Sequence, residues 1–272
     1  MADLSQSQSP RQPLAVITGA SSGIGRDLAE LLARRGYRTV LMARRVDRLE
    51  TLAEQLSTRA PSYAIQLDLA DASAIEPAMR ALLDEHGAPD VLINNAGYGV
   101  YKRFLDLSLE EQRRLMQVNY EAVATVTYFL LPAMLKRRRG HVINIASMST
   151  KVGPWGHSVY GAAKRGVVAL TESLAAEYAD QGIRFSYVNP GIIRTEFFAG
   201  PTNGRMTDKL DRYGISSRYL AEKVVRLLDR PRLELCVPRH YRALDWIRAV
   251  SPRLALWLVA KKSRPKSATA QK

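Results

Sequence analysis

Tyr160 and Lys164 stand four positions apart in the run Tyr160-Gly161-Ala162-Ala163-Lys164. On a helix that spacing puts both side chains on one face. A free phenol titrates near ~10, and a neighbouring ammonium favours its phenolate, so the pair predicts a tyrosine of lowered pKa. Such a phenol can give a proton to an alkoxide, or take one from an alcohol, near neutral pH. Ser147 lies thirteen positions before Tyr160, where its hydroxyl can donate to the same substrate oxygen. The Y-x-x-x-K spacing alone recurs by chance on many helices. Its weight comes from Ser147 and from a glycine-rich turn near the start of the chain.

That turn is Thr18-Gly19-Ala20-Ser21-Ser22-Gly23-Ile24-Gly25. An apolar run, Leu14 to Thr18, precedes it, and a helical pattern with Leu28, Leu31 and Leu32 on one face follows. Glycine permits the tight turn and lets the backbone approach a pyrophosphate, while the helix N-terminus offers free N–H groups. The strand–turn–helix context makes this a dinucleotide site. An acid at the end of the second strand would bind a ribose 2′-hydroxyl, whereas an arginine there accommodates a 2′-phosphate. The chain has Ala43-Arg44-Arg45, with no acid before Asp47. Arg44 is read as the main 2′-phosphate contact and Arg45 as a weaker candidate, which selects NADP(H) over NAD(H).

The elements that must position these residues follow from periodicity. Short runs rich in Val, Ile and Leu predict strands at 14–18, 39–42, 63–67, 91–93, 141–145, 184–188 and 233–237. Helical patterns lie between them at 46–56, 74–85, 109–135, 159–180 and 219–228, the 109–135 helix with an expected kink near Pro132. Strands apolar on both sides that alternate with helices imply a Rossmann-type, doubly wound α/β fold. Its seven-stranded, mostly parallel sheet carries helices on both faces. The long irregular stretch from Ile193 to Gly214 reads as a lid or binding loop.

The ordered set of motifs resembles the short-chain dehydrogenase/reductase family. It comprises TGASSGIG at Thr18 to Gly25, NNAG at Asn94 to Gly97, Asn119 in a VNY segment, Ser147, YGAAK at Tyr160 to Lys164 and NPGIIRT at Asn189 to Thr195. The resemblance spans about Leu14 to Val237. It implies a catalytic tetrad of Asn119, Ser147, Tyr160 and Lys164. Tyr160 would be the acid/base. Lys164 would lower its pKa and bind the nicotinamide ribose, and Asn119 would hold a water linking Lys164 to solvent. It also implies cofactor contacts at Gly19, Ser21, Ser22, Gly23, Ile24 and Gly25. Asp68 and Leu69 would lie at the adenine, Asn95, Ala96 and Gly97 at the adenosine ribose, and Pro190, Gly191, Ile193 and Thr195 at the nicotinamide. A homodimer or homotetramer is the expected assembly.

A chain of 272 residues, 46% hydrophobic, suits one large domain with a real core. One cysteine, Cys236, excludes an intrachain disulfide and fits a reducing compartment such as the cytoplasm. Residues 1–12 read as a disordered tail, 13–237 as the dinucleotide-binding and catalytic domain, and 238–272 as a basic amphipathic extension. No run suits a spanning helix. His86, His141, His157 and His240 lack metal-ligand spacing, so no metal is expected. His157, close to Tyr160 in sequence, reads as a surface imidazole in preference to a substrate contact, and Ser147 lacks a nucleophile elbow.

Substrate choice should come from Tyr98, Tyr101, Phe104, Met148, Val152, Trp155, Phe197, Phe198 and Met206, an apolar and aromatic set that favours a small lipophilic carbonyl or alcohol. The net charge of +14 is concentrated at the end: residues 230–272 hold 11 basic and 2 acidic side chains. The extension is expected to dock on its own core or a second subunit, or to touch a membrane surface. Without a nucleic-acid reading module, no nucleic-acid partner is expected. A non-catalytic NADP(H)-sensing protein on the same fold is the alternative, and the intact tetrad weighs against it.

Overall fold

The computed structural model describes residues 11–198 and 214–263. Strands β1 (Leu14–Thr18), β2 (Arg38–Ala43), β3 (Ser62–Gln66), β4 (Val91–Asn94), β5 (Gly140–Ile145) and β6 (Ile183–Pro190) join β9 (Glu234–Val237) in one sheet. Its order is β3-β2-β1-β4-β5-β6-β9, and every pairing is parallel, where the sequence had allowed a mixed sheet. A small parallel pair, β7 (Ile193–Arg194) with β8 (Ile215–Ser216), is an addition that no periodicity in the sequence signals.

Two apolar layers sandwich the sheet. Helices α1 (Gly23–Arg34), α2 (Val46–Ser57) and α7 (Ser217–Asp229) bury Leu28, Leu32, Leu49 and Leu220 against one face. Helices α3 (Ala72–His86) and α5 (Ala122–Lys136) bury Ile75, Met79, Val126 and Leu130 against the other, beside α6 (Ser158–Glu177). Successive side chains of a strand serve opposite faces, so Ile17 joins the first layer and Val16 the second.

The expected single helix from 109 to 135 is divided. Helix α4 (Leu109–Met116) starts on a capping box between Ser108 and Glu111. A π-helical turn, Gln117–Glu121, then leads into α5. The break between the two α-helical spans therefore falls at Asn119, and Pro132 lies inside α5. Such turns cluster where a side chain must be aimed. Beyond β9, α8 (Ala243–Val250) and α9 (Pro252–Ser263) form a hairpin over the carboxyl edge of the sheet. Among the described residues no helix is long and apolar enough to cross a membrane.

Candidate active site

The strand order reverses between β1 and β4. Parallel sheets open a crevice at the carboxyl ends of such a pair. Thr18 holds the crevice together: its hydroxyl accepts from the backbone N–H groups of Asn95 and Ala96, both at 3.0 Å. The Asn95 amide returns the contact to Thr18 O at 3.0 Å and Gly19 O at 3.2 Å. Glycine is required here on steric grounds. A Cβ on Gly19, which has φ +68°, would meet Ala96 Cα at 2.8 Å. One on Gly25 would strike the Gly19 carbonyl and come within 2.7 Å of Asn95 Nδ2. No acid occupies the first turn of α1, and the side chain of its N-cap Ser22 makes no capping bond. The positive end of α1 is therefore left to an anion.

Deeper in the crevice, the amides of Asn94 and Asn144 link β4, β5, α5 and α6. Asn94 Nδ2 donates to Asn144 Oδ1 at 2.8 Å and to Thr127 at 3.1 Å, and Asn144 Nδ2 donates to Thr171 at 2.8 Å. Buried polar groups satisfied in this way fix one arrangement of the helices that carry the chemistry. Lys164, on α6, is buried and donates to the Ile145 carbonyl at 3.0 Å. Burial brings its pKa down to about 8. Ser147 beside the Tyr160 hydroxyl favours its ionised form, but burial outweighs it and pushes the Tyr160 pKa up to about 12.

The expected lowering of the Tyr160 pKa is therefore reversed in the protein itself. Loss of solvent disfavours phenolate more than the surrounding groups favour it. Asn119 is aimed by the π turn. Its amide nitrogen donates to Tyr98 O and Leu115 O, each at 3.0 Å. Its Oδ1 is buried with no hydrogen-bond partner among the described residues. A Cβ on Gly97 would lie 2.7 Å from that oxygen and 3.2 Å from Lys164 Nζ, so both atoms border the same small space.

A single cleft of about 1160 Å³ gathers nearly every residue singled out from the sequence. Gly19, Ser21, Ser22, Gly23 and Ile24 line it, as do Arg44, Asp68, Leu69, Asn95, Ala96 and Gly97. So do Ser147, Tyr160, Lys164, Pro190, Gly191, Ile193 and Thr195. Gly25 and Asn119 lie behind the wall rather than on it, one under the turn and one behind Gly97. Asp68 also caps its own turn, accepting from Ala70 N at 3.0 Å, and pairs with Arg114 at 3.5 Å.

The two arginines after β2 have different duties. Arg45 clasps the turn, donating to Ser22 Oγ at 2.8 Å, Ser21 Oγ at 3.1 Å and Glu196 at 2.8 Å. Arg44 is exposed at the cleft edge and has no ion pair among the described residues. These features fit a dinucleotide phosphate: a glycine cradle that a Cβ would fill, an open helix end and an available cation.

The substrate end departs more from the sequence reading. Tyr98, Tyr101, Met148, Val152 and Phe197 line the cleft as expected. Phe104 is half exposed and away from it, and Trp155 stands behind Tyr101 with ring centroids 5.1 Å apart. The Phe198 side chain and Met206 lie outside the described residues. His157 is not a surface imidazole. It lines the cleft, its ring 5.5 Å from that of Tyr160 and 5.2 Å from that of Tyr101. Tyr241, Leu244, Ile247, Leu258 and Val259, which the sequence had placed only in an amphipathic C-terminal extension, roof the cleft. The one signal for them was the amphipathic spacing of that segment. The hairpin is pinned at both ends. Lys151 bridges Glu234 at 2.5 Å and Asp245 at 2.8 Å. Tyr101 donates its hydroxyl to Ser263 O at 2.6 Å, and Trp155 N–H donates to Ser263 Oγ at 3.0 Å.

Residues 13–204 match the family model described as short chain dehydrogenase. The chain belongs to the short-chain dehydrogenase/reductase family. An uncharacterized oxidoreductase of Staphylococcus epidermidis is 33% identical over 221 residues, covering 81% of this chain and 93% of that protein. A solved short-chain dehydrogenase from Sphingobium yanoikuyae, in complex with NADPH, superposes with TM-score 0.79 at 32% identity, over 87% of this chain and 93% of that one. The bulky-bulky ketone specific alcohol dehydrogenase from Comamonas testosteroni gives TM-score 0.75 at 29% identity, over 87% and 92%. As a short-chain dehydrogenase/reductase, the chain is an oxidoreductase. The matched span ends well before the hairpin, so the family's common part supplies the crevice and the C-terminal segment supplies its roof.

Proposed function

We propose that this short-chain dehydrogenase/reductase uses NADP(H) to move a hydride to or from the carbonyl or alcohol carbon of a small lipophilic substrate. The observation that carries this reading is the gathering of Ser147, Tyr160 and Lys164 in the wall of the same cleft that presents Arg44 and the glycine turn. The glycine turn would hold the pyrophosphate, Arg44 the 2′-phosphate, Asp68 and Leu69 the adenine. Asn95, Ala96 and Gly97 would hold the adenosine ribose. Pro190, Gly191, Ile193 and Thr195 would hold the nicotinamide, with Lys164 and Tyr160 on its ribose. When bound, the dinucleotide supplies or accepts the hydride.

The protein's own groups handle the proton. Ser147 donates to the substrate oxygen and holds it beside Tyr160. With its pKa pushed up to about 12, Tyr160 keeps its proton at neutral pH, the form that a reduction needs. In the oxidative direction the same oxygen receives the proton. Lys164 and the unpaired Asn119 Oδ1 border one space behind Gly97, which suits a water that passes protons from solvent. The apolar roof favours a bulky, uncharged substrate, and the bulky ketone specificity of the Comamonas testosteroni neighbour supports that choice. The NADPH of the Sphingobium yanoikuyae neighbour supports the cofactor. We further propose a cytoplasmic homodimer or homotetramer, with the C-terminal segment as the part able to meet a bilayer.

Calorimetry with NADPH and NADH tests the cofactor. We expect NADPH to bind at least tenfold more tightly in the wild type and that preference to vanish in Arg44→Ala. Equal affinity for both nucleotides in the wild type would remove the NADP(H) assignment. Failure of either to bind would remove the oxidoreductase reading itself.

A further inference from the structure

We propose that the outer face of the α8–α9 hairpin docks on an anionic lipid surface, so that one segment both roofs the cleft and contacts a bilayer. Helix α8 turns Leu244 and Ile247 toward the cleft but leaves Trp246 77% and Val250 86% exposed on its other side. Helix α9 does the same, with Leu258 and Val259 inward and Leu254, Leu256 and Trp257 outward. A helix apolar on both faces is ordinarily covered on both. Here the cleft covers one face and the other is bare. Phe104 and Leu105, three and four residues beyond the Tyr101 that holds Ser263, are exposed as well.

Charge identifies the occupant. From Pro238 to Lys272 the sequence has nine basic side chains and a single acid, Asp245. That carboxylate is already neutralised by Lys151 at 2.8 Å. Arg253 and Lys261 stand among the exposed apolar groups, with Lys261 Nζ 5.1 Å from the Trp257 ring centroid. Tryptophan between lysines and arginines on an otherwise apolar face matches the boundary between headgroups and acyl chains, and the excess of cations selects anionic headgroups. A second copy of the chain would bring the same positive charge to the contact and so fits less well. The proposal deepens the oxidoreductase reading, since a lipophilic substrate would then reach the cleft from the bilayer beneath its roof.

Sedimentation of the full chain with vesicles tests the surface without assaying activity. We expect binding to phosphatidylglycerol-containing vesicles at least tenfold stronger than to pure phosphatidylcholine, and weakened by 0.5 M salt. Trp246→Ala with Trp257→Ala, and separately Arg253→Glu with Lys261→Glu, should each reduce it at least tenfold. NADPH affinity should stay unchanged in both. The proposal fails if the wild type does not sediment with anionic vesicles, or if neither pair of substitutions alters binding. It fails too if the tryptophan substitutions split an oligomer while leaving vesicle binding intact. Wild-type chain that bound vesicles but not NADPH would instead count against the oxidoreductase reading alone.

Discussion

A buried ammonium without a counter-ion is a costly group, and Lys164 has none among the described residues. Its pKa falls from an ordinary 10.5 to about 8 by desolvation. Between those values the unfolded chain binds more protons than the folded one, so this group's contribution to stability rises with pH across that window. Below pH 8 the whole penalty is present, on the order of 3 kcal/mol. Thermal denaturation should therefore show the wild type gaining stability relative to Lys164→Met from about pH 8 to about 10. A pH-independent difference would mean that Lys164 is not desolvated. Gly97→Ala tests the neighbouring space: a methyl 2.7 Å from Asn119 Oδ1 should cut turnover at least tenfold, and unaltered turnover would refute the relay position. That Ser147, Tyr160 and Lys164 share one cleft, with Asn119 behind Gly97, was legible in sequence because spacing along a helix and order along a chain are local properties. The direction of the Tyr160 shift was not, because burial depends on elements far away in the chain.

Among the elements, β5 carries a comparable device away from the cleft. His141 faces Ser186 on β6 at 2.8 Å, and burial brings its pKa down to about 4. An unfolded imidazole titrates near ~6.5, so the unfolded chain takes up the proton first as pH falls. The stability held above pH 6.5 is lost through the window down to pH 4, by on the order of 3 kcal/mol. His141→Gln should flatten that acid limb of the Tm profile, and an unchanged limb would place acid sensitivity elsewhere. The strands themselves were readable, because a strand buried on both faces must be apolar throughout. The π turn was not. Its sequence, Gln-Val-Asn-Tyr-Glu, is compatible with an ordinary helix, and Pro132 was the more visible helix-disturbing residue in the sequence. What fixes the turn is Asn119 bonding back to Tyr98, a contact between segments.

At the scale of the molecule, the roof is held to the substrate loops by few bonds, so its seating can be altered without touching the chemistry. Tyr101→Phe removes the hydroxyl that donates to Ser263 O. A hydrogen bond of about 1 kcal/mol corresponds to a roughly fivefold rise in KM for a bulky ketone, with NADPH affinity unchanged. A KM equal to that of the wild type would show that the roof does not depend on this bond. Docking of the extension on its own core was one of the sequence expectations, but the partners that seat it were not legible. The amphipathic C-terminal segment could be recognised, but its docking site is assembled from residues 94 to 162 positions earlier, at Tyr101, Lys151 and Trp155. The same seating carries its own optical label. Trp155 stacks near Tyr101 and binds Ser263 through its backbone, while the chain's other two indoles, Trp246 and Trp257, point outward. A protein lacking those two becomes a single-tryptophan chain, whose emission reports on the seat of the roof with no dye attached.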